Sequence, residues 1–148
     1  MTDRNKNETE ALRAAAVKRV ELKEALSQVE VAAASPSGEE GWRTRLLAEL
    51  EELRAALLDH IAEVEADDGL LEEMMAQAPR LANQIGVVRD EHPDLCRQVD
   101  QIILDVRGSE DVIDLRSGVL DALTAIARHR QRGSDLVYDG YNIDIGGN

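Results

Sequence analysis

The sequence predicts an all-α protein: an antiparallel four-helix bundle with a short extra helical segment between its second and third long helices. Three observations predict this fold. Alanine, leucine, glutamate and arginine are abundant in a chain that has no phenylalanine and one tryptophan, which is typical of helical bundles. Apolar residues recur three and four positions apart along four long stretches. Only short linkers separate these stretches, which predicts antiparallel neighbours.

Length, charge and cysteine content exclude several classes of protein. A chain of 148 residues predicts one domain over residues 1–148. The net charge of −13, from 30 acidic and 17 basic residues, argues against nucleic acid or an anionic membrane surface as partner. No apolar run approaches the ~18 residues of a membrane span, and residues 1–7 read as a polar, disordered tail without a signal core. One cysteine excludes an internal disulfide, so a cytoplasmic location is expected.

The first half of the chain contains two long predicted helices and the short segment. The first helix runs from Glu8 to about Ala33, and Arg19 is a misfit in its narrow, alanine-rich apolar seam. After a turn-rich linker, the second helix runs from about Trp42 to Ala66, and its aliphatic seam is interrupted at His60. Residues 70–77 are predicted to form the short extra helical segment.

The second half contains the other two long helices. The third runs from Pro79 to about Arg107, and its seam stays in phase through Pro93. This predicts one helix that is kinked around His92 rather than two helices. The fourth runs from about Asp111 to Asp139 and is expected to stop at the glycine that follows. Residues 140–148 are expected to pack as a tail on one end of the bundle.

All three histidines of the chain occupy seam positions that the pattern assigns to aliphatic side chains: His60, His92 and His129. A seam covers about a third of a helix surface, so chance would place all three on seams roughly one time in thirty. The rise of about 1.5 Å per residue puts the second and third of them at levels that agree within about one turn. The first can join them if the short segment climbs along the bundle. Because neutral imidazole is a common ligand of divalent transition metals, the three rings form a candidate metal site.

Two further side chains are candidates for completing such a site. Glu63 lies one turn after His60 and is the best-placed carboxylate, whereas Glu65 lies on a less favourable face. Cys96 follows His92 by four residues and therefore shares its face. It is either a soft metal ligand or a small core residue.

A basic cluster surrounds the third histidine, formed by Arg128, Arg130 and Arg132. Ion pairs with acidic residues on neighbouring helices are the favoured interpretation, and an anion or partner site is the alternative. Catalytic signatures are absent, because the sequence contains neither a nucleophile elbow nor a glycine-rich phosphate loop before a helix. An enzyme is therefore not the favoured interpretation.

The order of these residues resembles a known family. His60 is followed by DGLLEEMMAQAPRL at positions 68–81, by EH at 91–92, and by His129 ahead of DLVYDGYNIDIGG at 135–147. From about Arg43 onward, this order resembles the hemerythrin-like, or HHE cation-binding, domain family. The resemblance implies a hemerythrin-like four-helix bundle whose core holds non-haem iron between histidines and carboxylates. It also implies dioxygen binding, or a role in iron, nitric oxide or redox responses.

The di-iron ligand set of that family is incomplete in this chain. The first helix supplies no histidine, and Leu12 and Ala15 are its expected core residues opposite His60. Val64 and Cys96 stand where the resemblance places a bridging glutamate and a second histidine. The resemblance thus implies a divergent, reduced site for iron or zinc, open to a small diatomic ligand, with the ligands His60, His92, His129 and Glu63. A metal-free bundle that acts as an interaction or structural module is the alternative.

Overall fold

Five α-helices make up the computed structural model, which describes residues 8–142. In chain order they are α1 (Glu10–Ala34), α2 (Trp42–Glu65), α3 (Leu70–Gln77), α4 (Ala82–Gly108) and α5 (Val112–Tyr141), with a 3-10 turn at Pro79–Leu81 before α4. No strand occurs within the described range, so the predicted all-helical bundle is confirmed. None of the helices in that range combines the length and apolarity needed to cross a membrane. The predicted tail at residues 1–7 lies outside the described residues.

The four long helices pack side by side, and each contacts two others. α1 packs against α2 and α5, and α4 packs against the same two helices. The short α3 contacts α1, α2 and α4, so it covers one side of the bundle on the way from α2 to α4. This is the segment that the sequence predicted between the second and third long helices.

Hydrogen bonds at the helix ends explain where α1 begins and ends. The side chain of Thr9 accepts a hydrogen bond of 3.1 Å from the backbone N–H of Leu12, which satisfies one of the free donors of the first turn. At the other end, the guanidinium of Arg116 donates to the carbonyls of Ala33 (2.9 Å) and Ser35 (2.8 Å). The start of α5 is thereby attached to the end of α1.

Helix α4 passes through Pro93 without interruption. This agrees with the prediction of one helix rather than two, because the apolar seam on both sides of the proline faces the same core. Proline has no N–H, so the carbonyl one turn earlier, of Arg89, receives no helical hydrogen bond from it. The kink itself stays a prediction.

The last helix is longer than the sequence predicted. We expected α5 to stop at Gly140, but it continues to Tyr141 and ends at Asn142, whose φ of 56° lies in the left-handed region. Glycine lowers helix stability by about 1 kcal/mol relative to alanine, which packing can offset. A Cβ at Gly140 would lie 3.5 Å from side-chain atoms of Leu81 and Met74, so the helix packs closely there. The remainder of the predicted tail, residues 143–148, lies outside the described residues.

Candidate metal centre

The imidazole rings of His60, His92 and His129 meet inside the bundle. The ring centroids of His92 and His129 are 4.9 Å apart, and that of His60 lies 5.8 and 5.7 Å from theirs. One ring nitrogen from each histidine can be chosen so that all three lie within 4.8 Å of one another. His92 and His129 are each only 2% exposed. The sequence permitted this convergence of the three rings, and the structure shows it.

These rings belong to a polar layer that separates two apolar clusters of the core. On one side lies a cluster that includes Leu57, Leu95 and Ile126. On the other side lies a cluster that includes Val64, Val88 and Leu136. Each histidine lies one or two helical turns from members of these clusters on its own helix. It therefore shares their apolar seam, and its ring faces the core as their side chains do. The polar layer consists of one residue from each long helix, namely Arg19, His60, His92 and His129.

Two carboxylates orient two of the rings. Glu65, the last residue of α2, accepts a hydrogen bond from Nδ1 of His92. Glu91 of α4 accepts one of 2.8 Å from Nδ1 of His129. A proton on Nδ1 leaves the lone pair on Nε2 of the same ring. The two carboxylates therefore present each imidazole in the tautomer that binds metal through Nε2, and carboxylate–histidine pairs of this kind support many metal sites.

Two ring nitrogens of the cluster are buried without a hydrogen-bond partner among the described residues. They are Nε2 of His92 and Nδ1 of His60. Leaving a buried polar atom unpaired costs roughly 1–3 kcal/mol, so native structures rarely retain one without a reason. A bound metal ion would satisfy such a lone pair. The three histidines therefore fit a divalent transition metal by the chemistry of their donor atoms.

Burial keeps the rings of His60 and His129 neutral. Desolvation, aided by the neighbouring rings and by Arg19 and Arg130, lowers the pKa of His60 from 6.5 to about 3. Desolvation also lowers the pKa of His129, although its hydrogen bond to Glu91 opposes the shift. Only the neutral imidazole has a lone pair to donate to a metal. At neutral pH these two side chains are therefore in the form that can act as ligands.

Glu91 is itself held by a cation. Burial raises the pKa of its carboxyl group, but hydrogen bonds from Arg132 and His129 outweigh burial, so the net pKa is lowered. Arg132 forms an ion pair with the second oxygen of this carboxylate. The favoured interpretation of the basic cluster is thus confirmed for Arg132. It does not apply to Arg130, which is 7% exposed and forms no ion pair within residues 8–142.

Helix α1 contributes a guanidinium at the level of the rings. In the apolar seam of the sequence Arg19 is a misfit, and Leu12 and Ala15 are the residues predicted to lie opposite His60. The side chain of Arg19 is buried, and it lines the same cavity as His60 and Ala15. Its Nη1 donates a hydrogen bond of 3.0 Å to the backbone carbonyl of Arg130. Leu12 instead packs in the apolar cluster on one side of the polar layer.

The other candidate ligands have different positions. Glu63 is half-buried, but its carboxylate is not among the atoms that cluster with the ring nitrogens. Cys96 is also outside that cluster; it packs against the apolar core, and burial raises the pKa of its thiol. Glu65 is likewise outside that cluster, but its side chain reaches Nδ1 of His92, a contact that the sequence did not predict. Glu91 was not considered a site residue, although it precedes His92 directly in the sequence.

No protein-family model matches the chain, and searches of curated proteins and of solved structures find no match either. The fold and the site alone therefore define the class of protein. It is an all-helical bundle with a buried cluster of three histidines, two of which are hydrogen-bonded to carboxylates.

Proposed function

We propose that the protein binds one divalent transition-metal ion, iron or zinc, through His60, His92 and His129. The observation that carries the proposal is the hydrogen bond between Nδ1 and a carboxylate on two of the rings. This bond leaves the lone pair of each ring on Nε2, the atom that would bind the metal. A carboxylate that accepts a hydrogen bond from the other nitrogen of a ligand imidazole raises the basicity of the ring and fixes its orientation.

The spacing of the ring nitrogens supports a mononuclear site. Metal–nitrogen bonds of about 2.0–2.1 Å in a tetrahedral site bring ligand nitrogens to about 3.4 Å from one another. The separations of up to 4.8 Å exceed this by little more than 1 Å. Small side-chain rotations can close that difference, whereas a second metal ion would need further ligands that the described residues do not supply.

The proposal includes an antiparallel, hemerythrin-like arrangement of the long helices. Contacts between opposite helix ends support it. Arg116 near the start of α5 contacts the end of α1, and Arg43 at the start of α2 donates 2.7 Å to the carbonyl of Ser109 just after α4. The order of the histidines along the chain and the short α3 agree with the resemblance to that family.

A metal in this position has three protein ligands and keeps at least one open coordination position. Bound there, iron would supply redox chemistry or small-gas binding, and zinc would supply a Lewis acid. We favour iron in a sensing or redox role, because the resemblance implies it. The residues of the chain contribute the three imidazoles, the orienting carboxylates Glu65 and Glu91, and an apolar surrounding that limits the access of water.

Elemental analysis of the purified protein tests the proposal. We expect about one iron or zinc per chain after growth with added metal, or stoichiometric uptake when Fe(II) is added to the metal-free protein without oxygen. The double variant His92→Leu/His129→Leu should take up no metal and should remain helical. The proposal fails if the wild-type protein holds less than about 0.1 metal per chain and takes up none on addition.

A metal-free bundle that serves as an interaction or structural module is the second candidate. One observation favours it: Arg19 and Arg130 lower the pKa of His60, and the same positive charges repel a metal cation. In that case the three histidines would be a hydrogen-bonded network left over from an ancestral metal site. The metal measurements above decide between the two candidates.

A further inference from the structure

A small cavity adjoins the histidine cluster on one side. Its volume is about 40 Å³, and His60 and His129 line it but His92 does not. Side chains of α3 close it from the other side, namely Leu70, Leu71 and Met74. A cavity needs roughly 10–15 Å³ of such volume for each enclosed water molecule. The space beside the two rings is therefore large enough for a ligand of three or four non-hydrogen atoms.

Two buried arginines line the same cavity. Arg19 and Arg130 are each 7% exposed, and the hydrogen bond from Arg19 to the backbone of Arg130 keeps them close together. Gly133, one turn after Arg130 on α5, also lines the cavity, and a Cβ added there would lie 3.9 Å from Nη1 of Arg19. An otherwise aliphatic cavity thus has a strongly positive end next to the imidazoles.

The Nε–H group of Arg130 lacks the acceptor that a buried donor requires. Its Nε–H is buried and has no hydrogen-bond acceptor among residues 8–142. The free energy cost of burying a charged donor without an acceptor exceeds that of a neutral one. Burial also lowers the pKa of Arg130, but a guanidinium keeps its proton at any physiological pH. An acceptor that carries negative charge would satisfy both the donor and the charge.

We infer that this cavity binds a small anion of three or four non-hydrogen atoms, held by Arg130 with Arg19 beside it, next to the metal at His60 and His129. The inference rests on the metal centre proposed above. An uncharged diatomic ligand would not need the guanidinium groups. An anion in this cavity would also offset their repulsion of the metal, because its charge is opposite to that of both. The cavity volume excludes larger anions.

Cobalt(II) and azide provide a direct test, since cobalt(II) replaces zinc or iron in nitrogen sites and its visible spectrum reports its ligands. The metal-free protein is loaded with one equivalent of cobalt(II), and azide is then titrated while the spectrum is recorded. We expect a saturable spectral change with azide, competition by formate, and no competition by benzoate, which is too large for the cavity. Charge-assisted hydrogen bonds are among the stronger ones, so Arg130→Gln should weaken azide binding about tenfold or more.

Three further variants serve as controls. Arg130→Lys keeps the charge and should recover most of the azide affinity. Arg128→Gln removes an exposed positive charge from the same helix and should leave azide binding unchanged. Arg19→Gln provides a second measurement if Arg130→Gln fails to fold, and it should weaken azide binding in the same direction. Cobalt(II) binding itself should be retained or tightened in Arg130→Gln, because a repelling charge has been removed.

The outcomes separate this inference from the proposed function. If cobalt(II) does not bind to the wild-type protein, the metal centre and the anion site are both wrong. If cobalt(II) binds but azide has no effect, or acts equally on wild type and Arg130→Gln, the metal centre stands and the anion site is overturned. Equal weakening by Arg128→Gln would also overturn it, because the effect would then be one of overall charge.

Discussion

Nδ1 of His129 donates a hydrogen bond of 2.8 Å to the carboxylate of Glu91, across the contact between α5 and α4. Glu91 and His92 are adjacent in the sequence, yet they serve different members of the cluster. The glutamate orients the ring of His129, while His92 places its own ring in the cluster and is oriented by Glu65. A single dipeptide of α4 thus supplies both a candidate ligand and the support for another.

The support from Glu91 can be measured through metal affinity. We expect Glu91→Gln to weaken metal binding about 10–100-fold, because the amide cannot compensate the positive charge that the ring gains on metal binding. Titration with cobalt(II) or zinc against a competing chelator gives the dissociation constant. Glu63→Gln is the matched control, since Glu63 is half-buried near the end of α2 but lies outside the cluster. A larger loss in Glu63→Gln would show instead that Glu63 is a ligand.

His92 should affect metal binding and stability in opposite directions. Its Nε2 is buried without a hydrogen-bond partner among the described residues. His92→Leu removes that polar atom, so the metal-free protein should be stabilised by about 1 kcal/mol in urea denaturation while metal binding is lost. Glu65 is left without the ring but is 34% exposed, so water can hydrate it. For comparison, Leu95→Ala on the same helix should cost about 2–5 kcal/mol. A similar loss in His92→Leu would contradict the prediction.

The metal-free protein should lose stability in mild acid. The pKa of His60 is 6.5 ordinarily and about 3 in the folded protein, so between these values the unfolded chain binds a proton that the folded chain does not. The resulting loss in the free energy of unfolding is absent above about pH 6.5 and grows by about 1.4 kcal/mol for each pH unit below it. The lowered pKa of His129 acts in the same direction. Urea denaturation in the presence of a chelator should therefore show a loss of roughly 2 kcal/mol from His60 between about pH 7.5 and pH 5.

His60→Leu is the control for this pH dependence. The variant cannot gain a proton at position 60, so its stability should fall less steeply than that of the wild type over the same range. Parallel pH profiles for the two proteins would mean that His60 titrates alike in the folded and unfolded states. Burial would then not lower the pKa of His60 in the folded protein.

Cys96 should have no role in metal binding. It packs with the apolar core and lies outside the histidine cluster, so Cys96→Ala should leave the metal dissociation constant within about twofold of wild type. The loss of stability should be about 1 kcal/mol or less, since few atoms are removed from a partly buried position. The cobalt(II) spectrum of the wild-type protein offers an independent check. An intense near-ultraviolet charge-transfer band would reveal a bound thiolate and contradict the prediction.

The sequence predicted the helices and the placement of the three histidines on core seams, because both follow from a local period. It left open whether the three rings meet at one level. A residue on the apolar seam of a long helix must face the core, whatever its chemistry. The same reasoning missed Glu65, because helical phase describes the direction of a Cα–Cβ bond and not the reach of a flexible side chain in a last helical turn. It also placed the end of α5 too early, because the close packing at Gly140 is not visible in one helix alone.

Arg19 was the hardest part of the site to predict. The seam of α1 showed it as an anomaly, but nothing in that helix indicates which level of the other helices it meets. That level depends on the lengths of the linkers and on how far α3 carries the chain. Only the three-dimensional structure shows that Arg19 lines the cavity beside His60.

The polar layer has a consequence for the vertical alignment of the helices. Each long helix places one polar residue in the layer between the two apolar clusters, and these four residues share a single level. Sliding a helix by one turn, about 5.4 Å, would press a guanidinium or an imidazole against leucine and leave its polar atoms unpaired. Buried polar residues in helical bundles fix axial register in this way, at some expense in stability. Whatever it binds, the polar layer selects one axial alignment of the helices from the several that their apolar seams would permit.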